Sequence, residues 1–518
     1  MARSLLRLAR AAAFVVACGV FAVAVWYAWA ALDLPLETEI REGSAWMLVL
    51  AKRAGVDIYD TSRSAFVNMN HGPMDPLLKG WIAEHAPWLP GHTVVRIFVF
   101  LMPFFFLGAA YHVGRRSWTE ALLAAGAFYL LLADITNMTV VGRSDATFFC
   151  ALAVGLSLTH ALLVNRHQNW TNLRYVALQV AFGACGAVMF LTVWRIFPTI
   201  GVMVLLTFAK QVTESSYRFW RTAISALVLY TAGFALVWIP VFVLELHADF
   251  SLYYQRFFGF FTHESGWGTF PCAQFRLFPI EMYEPRVGLA LLLGGLVVTA
   301  FYRLRRERAQ LVVWLLMLPT GWAVYAYAFY ANGGGVHYFC PFVPITWFLI
   351  VHALRRRGQW RPVAQVVVAG LFVWVYPWKP LFTRGEQLRA LAAESRTFLK
   401  QVDERVGSQP VLGENSHLYK RWYRAEVIDS GDAVDAINGR KYYGEVFSRT
   451  YHQYLDDLVA HPPKFVMSAA LNAADVASAA TPRLTQLLRE RYRLAIAGPS
   501  TFIANGSGGT NLYERKDD

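Results

Sequence analysis

The sequence predicts a polytopic α-helical membrane protein of about 11 transmembrane helices, followed by an α/β domain outside the membrane. Of its 518 residues, 56% are hydrophobic and only 16% are charged, whereas soluble proteins carry about 25% charged residues. The apolar residues form runs that approach the roughly 20 residues needed to cross a bilayer core about 30 Å thick. The 37 Phe, 24 Tyr and 18 Trp exclude a disordered chain, because they require burial.

The apolar runs give the candidate spans in chain order. Three of them are short, 119–134, 196–209 and 341–354, so their ends would extend into neighbouring polar residues. The predicted spans are 11–32, 93–113, 119–134, 146–164, 174–193, 196–209, 222–246, 287–302, 310–330, 341–354 and 362–377. An odd number of spans places the two chain ends on opposite sides of the membrane.

Basic residues in the short loops predict the orientation. If the N-terminus is cytoplasmic, the loops on that side carry 18 Lys or Arg but only two acids, Glu214 and Glu307. This asymmetry is the one that cytoplasmic loops usually show. The formal net charge of +13 therefore comes mostly from these loops and does not indicate a nucleic-acid partner. The C-terminus is then predicted to lie outside the cytoplasm.

The extramembrane segments suggest two units. Residues 1–377 form the predicted transmembrane module, with long outer loops at 33–92 and 247–286. Residues 378–518 have nearly balanced charge and a mixed α/β pattern, which predicts a soluble outer domain. Its predicted elements are an amphipathic helix over 388–407 and short strands at 410–415, 464–469, 492–498, 501–505 and 510–516.

Ionisable residues gather at the outer ends of the spans and in the outer loops. A transporter usually carries polar groups near the middle of the membrane, where these spans are almost uniformly apolar. A site at the membrane boundary suits a substrate with a lipid tail in the bilayer and a polar head in the aqueous compartment.

The predicted outer loops and span ends carry several short motifs. They are Glu42-Gly43, Gly55-Val56-Asp57-Ile58-Tyr59, Gly72-Pro73-Met74-Asp75-Pro76-Leu77, Gly142-Arg143-Ser144-Asp145 and Val336-His337-Tyr338-Phe339. In their order and placement these motifs resemble the GT-C superfamily of integral membrane glycosyltransferases. The resemblance is strongest for its bacterial branch, which is related to protein mannosyltransferases and lipopolysaccharide-modifying sugar transferases. That family often has an Asp-Glu pair in the first outer loop, where this chain has Arg41-Glu42, so Glu39 is an alternative to Glu42.

The resemblance implies transfer of a hexosyl or pentosyl group from a polyprenyl-phosphate donor to an extracytoplasmic glycan, lipid or protein acceptor, with inversion. Such a reaction needs a carboxylate within about 3 Å of the acceptor hydroxyl and cationic donors that face the leaving phosphate. No nucleotide cofactor is required. Some family members use a divalent metal, but no His, Asp or Glu spacing in this chain requires one.

The candidate site residues fall into three groups, and each has a structural alternative. Glu42 could be an acid favoured by a helix dipole, Asp145 an N-cap and Arg195 a partner in an ion pair. The candidate catalytic carboxylates are Glu42, Asp145 and Glu39. The candidate donor-phosphate ligands are Arg143, Arg195, His337 and Tyr338. The candidate substrate contacts are Tyr59, His71, His263 and Glu264.

Two other functions and one other location stay open. A polysaccharide polymerase or ligase, or a flippase of lipid-linked glycans, would act on the same class of lipids. Arg-rich short loops and the family branch favour the bacterial inner membrane, with the C-terminal domain in the periplasm. The alternative is the membrane of the endoplasmic reticulum.

Overall fold

The computed structural model describes most of the N-terminal half of the chain and parts of the C-terminal region. The described residues are 2–36, 42, 46, 49, 72–114, 117–136, 142, 144–165, 171–193, 199–201, 203–205, 207–208, 219–246, 361–409, 411–413, 460, 462–468, 486, 489–499 and 511–516.

Helices dominate the described part of the chain. In chain order they are α1 (Ala2–Leu32), α2 (Met74–His85), α3 (Gly91–Val113), α4 (Trp118–Thr136), α5 (Ser144–Val164), α6 (Leu173–Thr192), α7 (Phe219–Val241), α8 (Arg361–Val375) and α9 (Trp378–Val406). A π-helical turn, Phe242–Leu246, continues α7. Scattered positions of the predicted span 196–209 are also helical.

Five of these helices contain a stretch long and apolar enough to cross a membrane. These stretches are Arg7–Leu32, Gly91–Val113, Ser144–Val164, Leu173–Thr192 and Trp220–Leu244. A helix of 20 residues rises about 30 Å, which matches the bilayer core. The prediction of a polytopic helical membrane protein is therefore confirmed.

Two further predicted spans correspond to helices that are shorter or bent. The apolar part of α4 covers Trp118–Ala133, and α8 meets α9 at an angle of 68°. Pro377 lies at the bend, where proline cannot continue the hydrogen-bond ladder of a helix. The predicted spans 287–302, 310–330 and 341–354 lie outside the described residues, so the count of eleven stays a prediction.

Small residues bring the membrane helices close together. Helix α1 packs against α3, α4 and α8, and α6 packs against α7. Gly183 of α6 lies against the Tyr230 carbonyl of α7, and Gly233 of α7 lies against the Val180 carbonyl of α6. An added Cβ would overlap the carbonyl oxygen in both places. Close packing of this kind holds helices together where no water drives their association.

The described C-terminal strands form one sheet, which we call the C-terminal sheet. Its strands are β1 (Val411–Gly413), β2 (Phe465–Ser468), β3 (Tyr492–Ile496) and β4 (Asn511–Arg515), in the order β1-β2-β4-β3. Strands β1 and β2 are parallel, whereas β4 is antiparallel to both β2 and β3. Four of the five predicted strands match these elements, and the fifth, 501–505, lies outside the described residues.

Helix α9 joins the membrane helices to the C-terminal sheet. Its first half packs on α1, where Gly385 faces the indole ring of Trp26 and Leu388 is buried in the main helical core. Its second half covers the sheet, and Arg405 donates a hydrogen bond of 2.5 Å to Glu514 of β4. This bond lowers the pKa of the Glu514 carboxyl. The helix matches the predicted amphipathic segment 388–407 but begins ten residues earlier.

Candidate functional site

Glu42 is completely buried in the structure and is held by an arginine. Its carboxylate accepts hydrogen bonds from Arg96 Nε at 2.8 Å and from Arg96 Nη2 at 2.7 Å. Both side chains are 0% exposed. A bidentate arginine–carboxylate pair fixes the orientation of both groups as well as their charge. Glu42 therefore lies in one defined position at the edge of the helical bundle.

Arg96 lies in the second turn of α3, and its side chain binds three backbone carbonyls in addition to Glu42. Its Nη1 group donates to the carbonyl oxygens of Ala31 at 3.1 Å and of Leu34, and its Nη2 group donates to that of Leu36 at 2.5 Å. The last carbonyls of a helix have no partner within the helix, so Arg96 supplies donors where α1 ends. These bonds compensate the cost of burying the guanidinium.

A second buried ion pair lies beside the first. Lys79 Nζ is 2.8 Å from Asp75 Oδ2, one turn earlier on α2, and both side chains are almost fully buried. Thr147 of α5 also donates a hydrogen bond to Asp75. Lys79 donates a further bond of 2.8 Å to the carbonyl oxygen of Gly142. The pair therefore links α2 to the segment that precedes α5.

Gly142 connects the two ion pairs through its backbone. Its N–H donates to Glu42 Oε1 at 2.6 Å, while its carbonyl accepts the bond from Lys79. A Cβ at this position would overlap Val95 of α3 and lie 2.8 Å from the Val95 carbonyl oxygen. Only glycine fits this close backbone approach without a shift of α3.

Asp145 is buried close to the same place. It lies in the first turn of α5, three residues after Gly142, and its side chain is only 2% exposed. A carboxylate in the first turn is favoured by the helix dipole. The sequence motif Gly142–Asp145 is therefore anchored to Glu42 at one end and begins a membrane helix at the other.

Gly72 fixes the start of the α2 segment. Its N–H donates to the carbonyl of Thr192 at 3.1 Å, and an added Cβ would overlap the Leu191 carbonyl oxygen at the end of α6. The buried polar groups thus meet at the end of the bundle where α1 and α6 end and α3 and α5 begin. We call this group the rim cluster: Glu42, Asp75, Lys79, Arg96, Gly142, Asp145 and Thr147.

The structure describes two of the predicted site residues, Glu42 and Asp145, and brings them to one end of the bundle. The others lie outside the described residues, and their roles stay predictions. They are Glu39, Tyr59, His71, Arg143, Arg195, His263, Glu264, His337 and Tyr338. Among the residues that the structure describes, no group of three or more His, Cys, Asp or Glu side chains is arranged to hold a metal ion.

The sequence motifs do not include the two cations of the rim cluster, Arg96 and Lys79. Arg96 interrupts the apolar run 93–113, and an intramembrane charge normally has a partner, so its position was a usable signal. Lys79 follows Asp75 by four residues, which places the two on one face of a helix. Neither signal identifies Glu42 as the partner of Arg96, because 54 residues separate them.

Comparisons with known proteins give a likeness of fold over the whole chain. No protein family and no curated protein matches the sequence. The chain is similar to the crystal structure of ArnT from Cupriavidus metallidurans bound to undecaprenyl phosphate, with a TM-score of 0.53 and 14% identity over 99% of this chain and 98% of that one. The apo state of ArnT gives a TM-score of 0.53 and 15% identity over 97% and 98% of the two chains.

The chain is also similar, more distantly, to an archaeal protein. The archaeal oligosaccharyltransferase AglB from Archaeoglobus fulgidus gives a TM-score of 0.44 and 10% identity over 97% of this chain and 74% of that one. The likeness to ArnT covers both proteins almost completely, and at its low identity it concerns the fold alone. The chain is therefore an integral membrane protein with the fold of ArnT, and this fold agrees with the resemblance that the motifs indicate.

Proposed function

We propose that the protein is a glycosyltransferase that moves a sugar from a polyprenyl-phosphate donor to an acceptor outside the cytoplasm, with inversion. The observation that carries the proposal is the rim cluster, a set of buried carboxylates and cations at one end of the described helical bundle. The fold of ArnT, a protein crystallised with undecaprenyl phosphate, supports a lipid phosphate as the donor.

The position of the cluster suits this chemistry. A polyprenyl-phosphate donor keeps its chain in the bilayer and presents its phosphate and sugar at the membrane boundary. The acceptor hydroxyl must lose a proton to a carboxylate as it attacks C1, and the phosphate that leaves gains negative charge. We assign the carboxylate roles to Glu42 and Asp145, with Glu39 as a further candidate.

The cationic and substrate-binding roles belong to residues outside the described ones. Arg or His donors that face the leaving phosphate would stabilise its charge in a medium of low dielectric constant. We propose Arg143, Arg195, His337 and Tyr338 for this role, of which Arg143 is the direct neighbour of Gly142. The proposed substrate contacts are Tyr59, His71, His263 and Glu264.

The proposed location of the protein is the inner membrane of a bacterium. The basic short loops favour a cytoplasmic N-terminus in a bacterial inner membrane. The rim cluster and the C-terminal sheet would then face the periplasm. That is the side on which a flipped lipid-linked sugar would meet its acceptor.

The experiment compares cell-envelope glycans and lipids by mass spectrometry in cells with and without the gene, which identifies product and acceptor together. Purified wild type and the variants Glu42→Gln and Asp145→Asn are then assayed with the matching lipid-phosphate sugar. We expect each variant to lose about 100-fold or more in transfer rate, because a positioned acid–base group contributes about 10²–10⁴-fold. Glu42→Gln also leaves the buried guanidinium of Arg96 without its counter-charge, so the rates are compared only for variants that keep the unfolding temperature of wild type.

The control is Glu84→Gln, which changes an exposed carboxylate on α2 and should leave transfer unchanged. If the envelope is unchanged in cells without the gene and the purified protein transfers no sugar, the proposal is wrong. Lipid translocation by both wild type and Glu42→Gln, without any glycosyl product, would instead indicate a flippase.

A further inference from the structure

Leu36 belongs to two parts of the molecule at once. It follows the end of α1 by four residues, and its side chain is 0% exposed. That side chain is a member of the hydrophobic core between α9 and the C-terminal sheet. The other buried members of this core are Phe398, Val402, Val406, Val411, Phe465, Met467 and Leu512. A residue of the first outer loop therefore helps to form the core of a sheet almost 400 residues away in the chain.

The backbone of Leu36 is bound to the rim cluster. Its carbonyl oxygen accepts a hydrogen bond of 2.5 Å from Arg96 Nη2, the same nitrogen that donates to Glu42. An arginine side chain has five N–H donors in a rigid planar fork. In Arg96 three donors bind the carbonyls of Ala31, Leu34 and Leu36, and two bind Glu42.

This arrangement makes the position of Glu42 depend on the position of Leu36. The guanidinium is planar and rigid, so a displacement of the Leu36 carbonyl must rotate the fork or break one of its bonds. The donors that hold Glu42 would move with it, and Glu42 would then lose its alignment with the Gly142 N–H. An exposed ion pair of 2.5 Å between Asp33 and Arg396 of α9 is a second link, but exposed pairs contribute little.

We propose that Arg96 is a positioning residue through which the C-terminal sheet holds Glu42 in place. The proposal rests on the proposed function insofar as Glu42 is a carboxylate of the active site. The path runs from the sheet core to Leu36, from its carbonyl to Arg96, and from there to Glu42 and Gly142. The sheet is then part of the catalytic apparatus although none of its strands contributes a residue to the rim cluster.

The test compares two identical deletions in one hydrophobic core. Leu36→Ala and Leu512→Ala each remove a fully buried leucine side chain from the core of the C-terminal sheet. Leu512 pairs through its backbone with β2 and β3, whereas the carbonyl of Leu36 binds Arg96. Both variants should lower the unfolding temperature to a similar extent, so a difference in activity cannot be attributed to lost stability alone.

Two readouts separate positioning from stability. We expect Leu36→Ala to lower kcat about tenfold to 100-fold, because misplacing a reacting group by about 1 Å can cost that much, while the KM for the donor stays within about twofold. Leu512→Ala should keep kcat within about threefold of wild type. Hydrogen–deuterium exchange at the Gly142 amide should accelerate several-fold in Leu36→Ala and stay at the wild-type rate in Leu512→Ala.

Arg96→Lys directly tests the residue that links Leu36 to Glu42. Lysine keeps the positive charge but cannot bind a carboxylate and three carbonyls in one rigid geometry. We therefore expect Arg96→Lys to accelerate exchange at Gly142 and to lower kcat at least as much as Leu36→Ala. If Leu36→Ala does not accumulate, Leu36→Val and Leu512→Val form a milder matched pair.

The exchange measurement keeps the two proposals distinguishable. If wild type transfers no sugar, the proposed function fails, whereas exchange at Gly142 still tests the path from Leu36. Equal kcat values and equal Gly142 exchange in Leu36→Ala and Leu512→Ala would overturn the positioning role, as would unchanged exchange in Arg96→Lys.

Discussion

Buried charge is the defining property of the candidate site at the scale of single residues. Arg96 and Lys79 are both 0% exposed, and each is bound to a carboxylate and to at least one backbone carbonyl. A buried ion pair contributes little net stability compared with apolar residues of the same shape, but the loss of one partner is costly. Such pairs are therefore better explained by the geometry that they impose than by the stability that they add.

Substitutions in the pair of Asp75 and Lys79 test whether the loss of one partner of a buried ion pair is costly. Lys79→Met leaves Asp75 with an uncompensated buried charge and removes a donor from the Gly142 carbonyl. We expect the free energy of unfolding in detergent to fall by about 3–5 kcal/mol. Adding Asp75→Asn to Lys79→Met should recover part of this loss, because the buried charge is then removed.

An exposed ion pair provides the control for Lys79→Met. Arg389 and Glu386 lie on the exposed face of α9, with side chains 59% and 65% exposed. Arg389→Met should change the free energy of unfolding by less than about 0.5 kcal/mol. Equal losses for the two methionine substitutions would contradict the view that burial sets the cost.

Helix packing is governed by small residues at the scale of elements. In the contact of α6 with α7, Gly183 and Gly233 lie against backbone carbonyls of the partner helix. Because glycine has no side chain, the two backbones can approach this closely. In the α1 contacts, buried alanines such as Ala17, Ala24 and Ala28 have the same role. A membrane offers no hydrophobic driving force between helices, so their association depends on this close fit.

A single methyl group should therefore disrupt the contact of α6 with α7. Gly183→Ala places a Cβ on the Tyr230 carbonyl oxygen, and overpacking of this kind costs about 1–3 kcal/mol. We expect a lower unfolding temperature in detergent for this variant. The matched control is Gly108→Ala on α3, where an added Cβ meets no atom within 4 Å and alanine favours the helix. A loss of stability in Gly108→Ala equal to that in Gly183→Ala would contradict the packing argument.

At the scale of the whole molecule, periodic and compositional signals predicted the elements but not their long-range contacts. The helical spans and four of the strands follow from runs of apolar residues, which are local features. The burial of Glu42 against Arg96, and of Leu36 in the core of the sheet, joins segments far apart in the chain. No local pattern encodes such pairings. The motifs therefore point to Glu42 and Asp145, which the structure brings to one end of the bundle, but they do not point to the cation that holds Glu42.

The predicted domain boundary between residues 377 and 378 stays a prediction. The packing of α9 on both sides of it is a long-range property that local composition does not encode. The boundary is predicted where apolar spans give way to a charged, amphipathic sequence. In the structure Leu381, Leu388 and Ala392 of α9 are buried in the same core as α1 and α4. The first half of α9 thus packs with the membrane helices, whereas the second half packs with the C-terminal sheet.

Two truncations should separate these halves. A chain that ends after residue 377 loses the α9 side chains that cover α1, including the contact of Gly385 with Trp26. A chain that ends after residue 409 keeps them and loses residues 410–518, which include the C-terminal sheet. We expect the first truncation to lower the unfolding temperature of the helical bundle in nanodiscs by several degrees more than the second, because burial of apolar area contributes about 25 cal/mol per Å².

The chain that ends after 409 should still lose transfer activity, because Leu36 no longer has a core to hold it. Equal unfolding temperatures for the two truncations would show that α9 is not part of the bundle, and full transfer activity in the longer one would separate the C-terminal sheet from the positioning of Glu42.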